Sequence, residues 1–305
     1  MTAYVLRRLL GVFPLLALIA FFAFVFMRTA PGGPFDQERA LPPQIEASLR
    51  ARYHLDEPLI QQFARYAGDL VRGDLGPSFR YRNRSVNEII AQSAPVSLTL
   101  GVVAMAFALL AGITAGVIGA LREHTWVDHT AMAMAMAGLC IPNFVLGPLL
   151  ILVFVFHLRL LPPAGWGGLE HLILPAITLG AIRAATIARL TRGGMLEALE
   201  QDFVRTARAK GLGERVVALR HALKVAILPV VSYLGPAMAA TLTGSIVVER
   251  IFLVPGLGTF FVQSALNRDY TVAMGAVLFY STLLVLLNLI VDVAYTLLDP
   301  RVELH

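Results

Sequence analysis

The 305-residue chain is 57% hydrophobic and only 15% charged, against roughly 45–50% and about 25% in soluble domains, which places it in the membrane class. Its formal net charge of +5 is no nucleic-acid footprint, because the basic residues gather in loops between apolar runs and there set orientation in a bilayer. The single cysteine, Cys140, excludes an intrachain disulfide; inside an apolar run it reads as a buried small hydrophobe.

The first apolar stretch, Leu9 to Met27, is long enough to cross a hydrocarbon core of about 30 Å, and Arg7-Arg8 before it hold the N-terminus in the cytoplasm. Residues 28–95 form a polar, proline- and glycine-punctuated insert. Helices are expected in it from Pro42-Pro43 to Tyr53 and from Asp56 or Pro58 to Val71, then a turn cluster at Gly73-Asp74-Leu75-Gly76-Pro77-Ser78. The second span, about 96–121, carries Gly101, Gly112, Gly116 and Gly119. Small residues of this kind let helix backbones approach closely in lipid, so this span is expected in the packed interior. The third span, about 129–156, is interrupted by Pro142-Asn143 and Pro148, and Trp166 in the following loop is an interfacial anchor.

The fourth span, about 171–191, carries Arg183 roughly at mid-membrane, where lipid exposure would cost about 2.5–3.5 kcal/mol. It is expected to face a cavity or a paired acid, or to snorkel if the span starts later; Arg189 and Arg192 snorkel to the cytoplasmic surface. The fifth span, about 225–248, has a kink expected at Gly235-Pro236. A segment with Pro255, Gly256 and Gly258 follows and can reverse tightly; Asn267-Arg268-Asp269-Tyr270 then leads to the last span, about 272–298. Asp292 near its end suits helix capping or an ion pair. The result is an all-α integral membrane fold of six spans: residues 1–27 hold the first, 28–95 the extracytoplasmic insert, and 96–305 a five-span core. Basic residues concentrate in the loops this order places inside, which puts both termini in the cytoplasm.

Between the fourth and fifth spans lies a basic island, 192–224. A helix runs through Val204, Arg205 and Ala207 to Ala209, a turn covers Lys210-Gly211-Leu212-Gly213, and a second helix runs from Glu214 to Leu223. Val216, Val217, Leu219, Ala222 and Leu223 form its apolar side, with Arg220 and His221 beside them. An amphipathic helix on a membrane protein's inner face suits docking in a partner's groove. The alternative is a basic loop that holds topology and touches headgroups.

The chain has no phosphate-binding Gly-x-x-x-x-Gly-Lys-Ser/Thr, no His-Glu-x-x-His and no Gly-x-Ser-x-Gly, and its histidines are scattered, so neither a nucleotide site, a metal site nor a membrane enzyme is supported. An ion-coupled carrier using Arg183 and Asp292 is the rival of another class.

Arg205-Thr-Ala-Arg-Ala-Lys-Gly211, with Arg220-His-Ala-Leu-Lys224 and Leu228-Pro229, resembles the cytoplasmic loop of binding-protein-dependent ABC importer permeases. Arg205 and Thr206 stand where the general family pattern has Glu and Ala, a departure similar to the peptide-transporter branch. Pro31-Gly-Gly-Pro34, Gly73-Asp-Leu-Gly76, Arg189-Leu-Thr-Arg192, Glu249-Arg-Ile-Phe252, Pro255-Gly-Leu-Gly258 and Asn267-Arg-Asp-Tyr270 match the same branch, and Glu38-Arg-Ala-Leu-Pro-Pro43 resembles the first permease subunit of oligopeptide systems. Dipeptide, glutathione and nickel permeases are similar elsewhere. The resemblance implies a type I importer fold in a bacterial inner membrane, a second six-span permease, two ABC ATPases that hold ATP and Mg, and an extracytoplasmic peptide-binding protein. The chain itself would bind no cofactor and no metal and would catalyse nothing. Val204, Arg205, Ala207, Lys210, Gly211, Val216, Leu219, Arg220 and His221 would couple it to the ATPases. Arg183, Gly235 and Asp292 are candidates for the substrate pathway. Asp74, Pro255, Gly256, Gly258, Asn267, Arg268 and Asp269 are candidates for the outer gate or the binding-protein contact.

Overall fold

The computed structural model describes residues 2–29, 56–81, 83–243 and 245–298, without the side chains of 2–10, 243 and 291–298. The expected helix from Pro42, and the Pro31–Pro34 and Glu38–Pro43 motifs, lie outside the described residues. Those residues are helical throughout, apart from loops and one isolated β-bridge between Pro77 and Ser85. Among the described residues four helices are long and apolar enough to cross a membrane, and up to six spans result if each of two bent helix pairs counts as one.

By contacts, the chain forms two compact units, Met1–Val96 with Pro255–Leu286, and Ser97–Val254 with Leu287–Leu304. In the first, α1 (Thr2–Thr29) packs on α2 (Leu59–Val71) through aromatic rings. Phe63 meets Phe21 and Phe24 edge-on at 5.2 and 5.5 Å, and Tyr66 stacks on Phe24 at 5.9 Å. The start of α3 (Val86–Leu121) packs on α12 (Leu257–Leu266) and on the start of α13 (Tyr270–Leu298), burying Val86, Ile89, Leu257, Val272 and Ala276.

The sequence places the start of the second span at Val96, after Pro95, but α3 begins at Val86. The reason is a capping box: Glu88 N–H donates to Ser85 Oγ and Ser85 N–H to Glu88 Oε2, each at 3.2 Å. Pro95 then lies inside the helix, as neighbouring structure in membrane proteins can tolerate.

In the second unit the remainder of α3 lies against α6 (Glu170–Leu199) as closely as its glycines promise. A Cβ at Gly112 would lie 2.7 Å from the Ala184 carbonyl oxygen, and one at Gly116 2.6 Å from that of Ala188. Helix α6 does not end near 191 but continues to Leu199, burying Met195 and Ala198. The segment expected to form the third span is two helices. α4 (Trp126–Cys140) and α5 (Asn143–Ile151), the latter prolonged by a π-helical turn Leu152–His157, meet at a 111° bend. Ile141 between them is extended, as the residue before Pro142 prefers to be.

The segment expected to form the fifth span breaks elsewhere than expected. α10 (Leu228–Thr243) runs unbroken through Gly235-Pro236, and the bend of 53° falls at Ile227, just before Pro229 in the first turn. Cys140 is exposed, against the expectation of burial. An apolar run in a membrane protein is also the surface it offers to lipid or to another subunit, so apolarity alone does not imply a place inside the chain.

Candidate functional site

The basic island folds as a helical hairpin. α7 (Asp202–Ala209) is followed by a turn, then by α8 (Glu214–Val216), which passes through a π-helical stretch Val217–Ala222 into α9 (Leu223–Ala226). The turn closes as a Schellman motif: Leu212 N–H donates to Ala207 O (3.4 Å) and Gly211 N–H to Arg208 O (2.9 Å). Gly211 has φ +78°, the left-handed conformation that a glycine takes at no steric cost. Across the turn Arg208 grips Glu214 with two bonds, of 2.8 and 3.2 Å.

The hairpin has two apolar faces. Val204, Ala207, Val217, Ala218 and Ala222 are buried together with Met195 and Ala198 of α6 and Ala226 of α9. Phe203, Leu212, Val216 and Leu219 are exposed at 40, 38, 39 and 57%. The expected single apolar side is therefore divided. Val217 and Ala222 hold the hairpin to the chain, while Val216 and Leu219 remain on its surface. Val204 and Ala207 also belong to the inner face, so in this conformation their side chains anchor the hairpin instead of contacting a partner. Arg205, Lys210, Gly211 and Arg220 are exposed, and His221 is half-buried.

Among the described residues Arg183 pairs with no acid. Its Nε donates to Thr241 Oγ1 and its Nη1 to the Tyr233 hydroxyl, each at 3.3 Å, both on α10. Gly235, on the same helix, is buried. Asp292 lies on α13 at a position whose side chain is outside the described ones. Two polar clusters went unforeseen. Arg192, expected to snorkel, makes a bidentate pair with the buried Asp128 of α4 at 2.8 and 2.7 Å. The Thr125-x-x-Asp128 spacing, an N-cap signature in which Thr125 Oγ1 accepts from Asp128 N–H at 3.5 Å, would have placed that carboxylate at a helix start. The fully buried Glu249 of α11 (Ser245–Ile251) accepts from Ser97 and Ser245 hydroxyls at 2.7 Å each.

The residues expected at the outer gate divide as well. Asp269 is buried and caps α13, accepting from Val272 N–H at 3.4 Å and Thr271 Oγ1 at 3.0 Å. The same carboxylate takes the Ser78 hydroxyl and the Phe79 and Arg80 amides, the last two at 3.1 and 3.2 Å. It is a clasp between the insert and α13, not a contact surface. Tyr81 beside it bonds Gln263 at 2.9 Å, and burial and then the Asp269 charge push its phenol above the ordinary range. Gly256 and Gly258 are buried around the start of α12, while Asp74, Pro255 and Asn267 are exposed and Arg268 is partly so. Asp74 closes its own turn by accepting Gly76 N–H at 2.8 Å. It also lines a cavity of about 130 Å³ with Arg28, Gln62, Arg65, Tyr66 and Asp69. Burial raises the Tyr66 phenol to about 12, so it stays a donor at neutral pH.

Residues 108–304 match the family described as "Binding-protein-dependent transport system inner membrane component". The chain is 47% identical over 305 residues to the oligopeptide transport system permease protein of Escherichia coli (strain K12), covering 99% of this chain and 100% of that protein. It is 43% identical over 305 residues to a dipeptide transport system permease protein of Bacillus subtilis (strain 168), covering 100% and 99%. Among solved structures it is similar to an amino acid ABC transporter crystallised with histidines, at TM-score 0.53 and 15% identity, over 68% of this chain and 94% of that one.

Proposed function

The chain belongs to the family of binding-protein-dependent inner membrane transport components, and we propose that it forms half of the translocation path of an ATP-driven oligopeptide importer. The observation that carries this reading is end-to-end similarity to an oligopeptide permease, joined to a polar hairpin that leaves Leu212, Val216 and Leu219 exposed. A short exposed apolar ridge, framed by Arg205, Lys210, Arg215 and Arg220, suits a groove on a partner.

In this reading six spans cross a bacterial inner membrane, each bent pair counting as one, and both termini are cytoplasmic. The hairpin faces the cytoplasm and docks on one of two ABC ATPases, which hold ATP and Mg. A second permease of the same type completes the path. An extracytoplasmic binding protein delivers peptide near Asp74, Pro255, Asn267 and Arg268. The chain carries no catalytic group of its own; nucleotide binding on the ATPases biases the helix bundle between inward- and outward-open states. A second reading, dipeptide uptake, is favoured by the 43% identity to a dipeptide permease, and uptake competition among di-, tri- and longer peptides separates the two.

Purifying the tagged chain in mild detergent tests the assembly. A second permease and two nucleotide-binding proteins are expected to accompany it. Leu219→Asp places a charge on the exposed ridge and is expected to release the ATPases while the permease pair stays together. A chain that purifies alone and moves substrate in liposomes without ATP would sink the reading.

A further inference from the structure

Arg183 lies near the middle of the 30-residue α6, where a charged side chain is costly to keep and marks a pathway or a partner. Among the described residues no carboxylate neutralises it; its only bonds are the two 3.3 Å contacts to neutral hydroxyls. A guanidinium has five N–H donors, so most of its donor capacity is unspent. The two hydroxyls differ. Thr241 passes its own proton to the Ala237 carbonyl at 2.7 Å and so only accepts from Arg183. Tyr233 accepts from Arg183, and its own proton is directed to no described acceptor. Arg183 and Tyr233 thus offer an anion the three remaining guanidinium N–H donors and one O–H, while Thr241 fixes the guanidinium in place.

We propose that Arg183 and Tyr233 form a receptor for the carboxylate of a passing peptide, with Thr241 as its positioning residue. The inference rests on the importer reading. A carboxylate would engage the unspent N–H donors through shorter bonds between opposite charges, stronger than the 3.3 Å contacts to neutral hydroxyls. The free C-terminus fits because every unblocked peptide carries it whatever its sequence, so one fixed cation serves the whole class. Since Arg183 keeps its two hydroxyl contacts when no carboxylate is bound, it stays in place between peptides, and release is not blocked.

The test uses the complete transporter in liposomes, with its binding protein, a peptide and the same peptide as its C-terminal amide, chosen so that the binding protein holds both equally. The wild type is expected to take up the free acid faster. Arg183→Gln should lower the acid-to-amide uptake ratio about 10-fold, the scale of one lost charge-assisted bond, and Arg183→Lys should restore part of it. Tyr233→Phe, which keeps the Arg183–Thr241 contact, should lower the ratio several-fold, and it decides the matter if Arg183→Gln fails to assemble. Unchanged ratios in Tyr233→Phe and Arg183→Gln overturn the proposal. So does an Arg183→Gln protein that sheds the second permease while Tyr233→Phe keeps the wild-type ratio, since the arginine would then be answering an acid of that subunit. A wild-type complex that moves neither peptide with ATP fails at the importer reading itself.

Discussion

Gly116 and Gly193 show how one residue type does opposite work on neighbouring helices. A methyl group at Gly116 would meet the Ala188 carbonyl oxygen and Thr191 Cβ at 2.6 Å each, both parts of a packed helix that has no room to yield. Gly116→Ala is therefore expected to cost about 1–3 kcal/mol, the usual range for overpacking. Gly193 on α6 has nothing within 4 Å of its would-be Cβ, so Gly193→Ala should be neutral or stabilise by about 0.5–1 kcal/mol through helix propensity. Thermal unfolding of the purified permease pair measures both, and equal shifts would mean that the α3–α6 packing is not as close as described. The Asp128–Arg192 pair shows a different limit of reading residues singly. Arg192 was legible as a cation near a surface, but its partner lies on another helix, and only the fold brings the two within 2.7 Å.

At the scale of elements, the hairpin's outline was readable and its orientation was not. The basic island, the glycine turn and two helices follow from local chemistry, and the structure has them at 202–209 and 214–226. Which of Val216, Val217, Leu219 and Ala222 turns inward depends on α6, which offers Met195 and Ala198 to only one side. The π-helical stretch at 217–222 adds to this, since it shifts the side chains away from the register a regular helix predicts. The turn supplies a test of its own. Gly211→Val must enter φ +78° with a β-branched side chain, at a cost of roughly 1–2 kcal/mol, whereas Gly211→Asn tolerates that region. We expect Gly211→Val to lose ATPase retention in the pull-down with little change in the melting of the spans, and Gly211→Asn to keep most of it. Equal retention in both would separate the turn from coupling. The 111° break at Ile141–Pro142 was half-legible: the proline marked the place, but a proline is compatible with anything from a mild kink to a reversal.

For the molecule as a whole, the importer reading makes its energy source external. Uptake is expected to persist when the proton gradient is collapsed at constant ATP and to stop when ATP is withdrawn. The opposite result would favour an ion-coupled carrier. The long helices serve this reading through packing. Close approach of α3 to α6 ties two spans together, and α6 continues past the expected membrane edge to Leu199, where it supports the hairpin core. A movement imposed on the hairpin therefore acts on the same helix that carries Arg183, without a flexible linker in between.

Composition and charge pattern alone determined a helical membrane protein and the position of its polar hairpin, and the motifs in and around that hairpin carried the family resemblance. These depend on local quantities, namely apolar run length, glycine turns and where basic residues accumulate. Tertiary structure decided which polar groups face one another. Asp269 proved to be a buried clasp, Val204 and Ala207 an anchor, Glu249 a buried acceptor, and Arg183 a cation held, among the described residues, by two hydroxyls. In each case the deciding partner lies on a different element of the chain. A membrane span's sequence reports that its residues leave water, but lipid, a second helix and a buried cluster all satisfy that requirement, so only the packing distinguishes them.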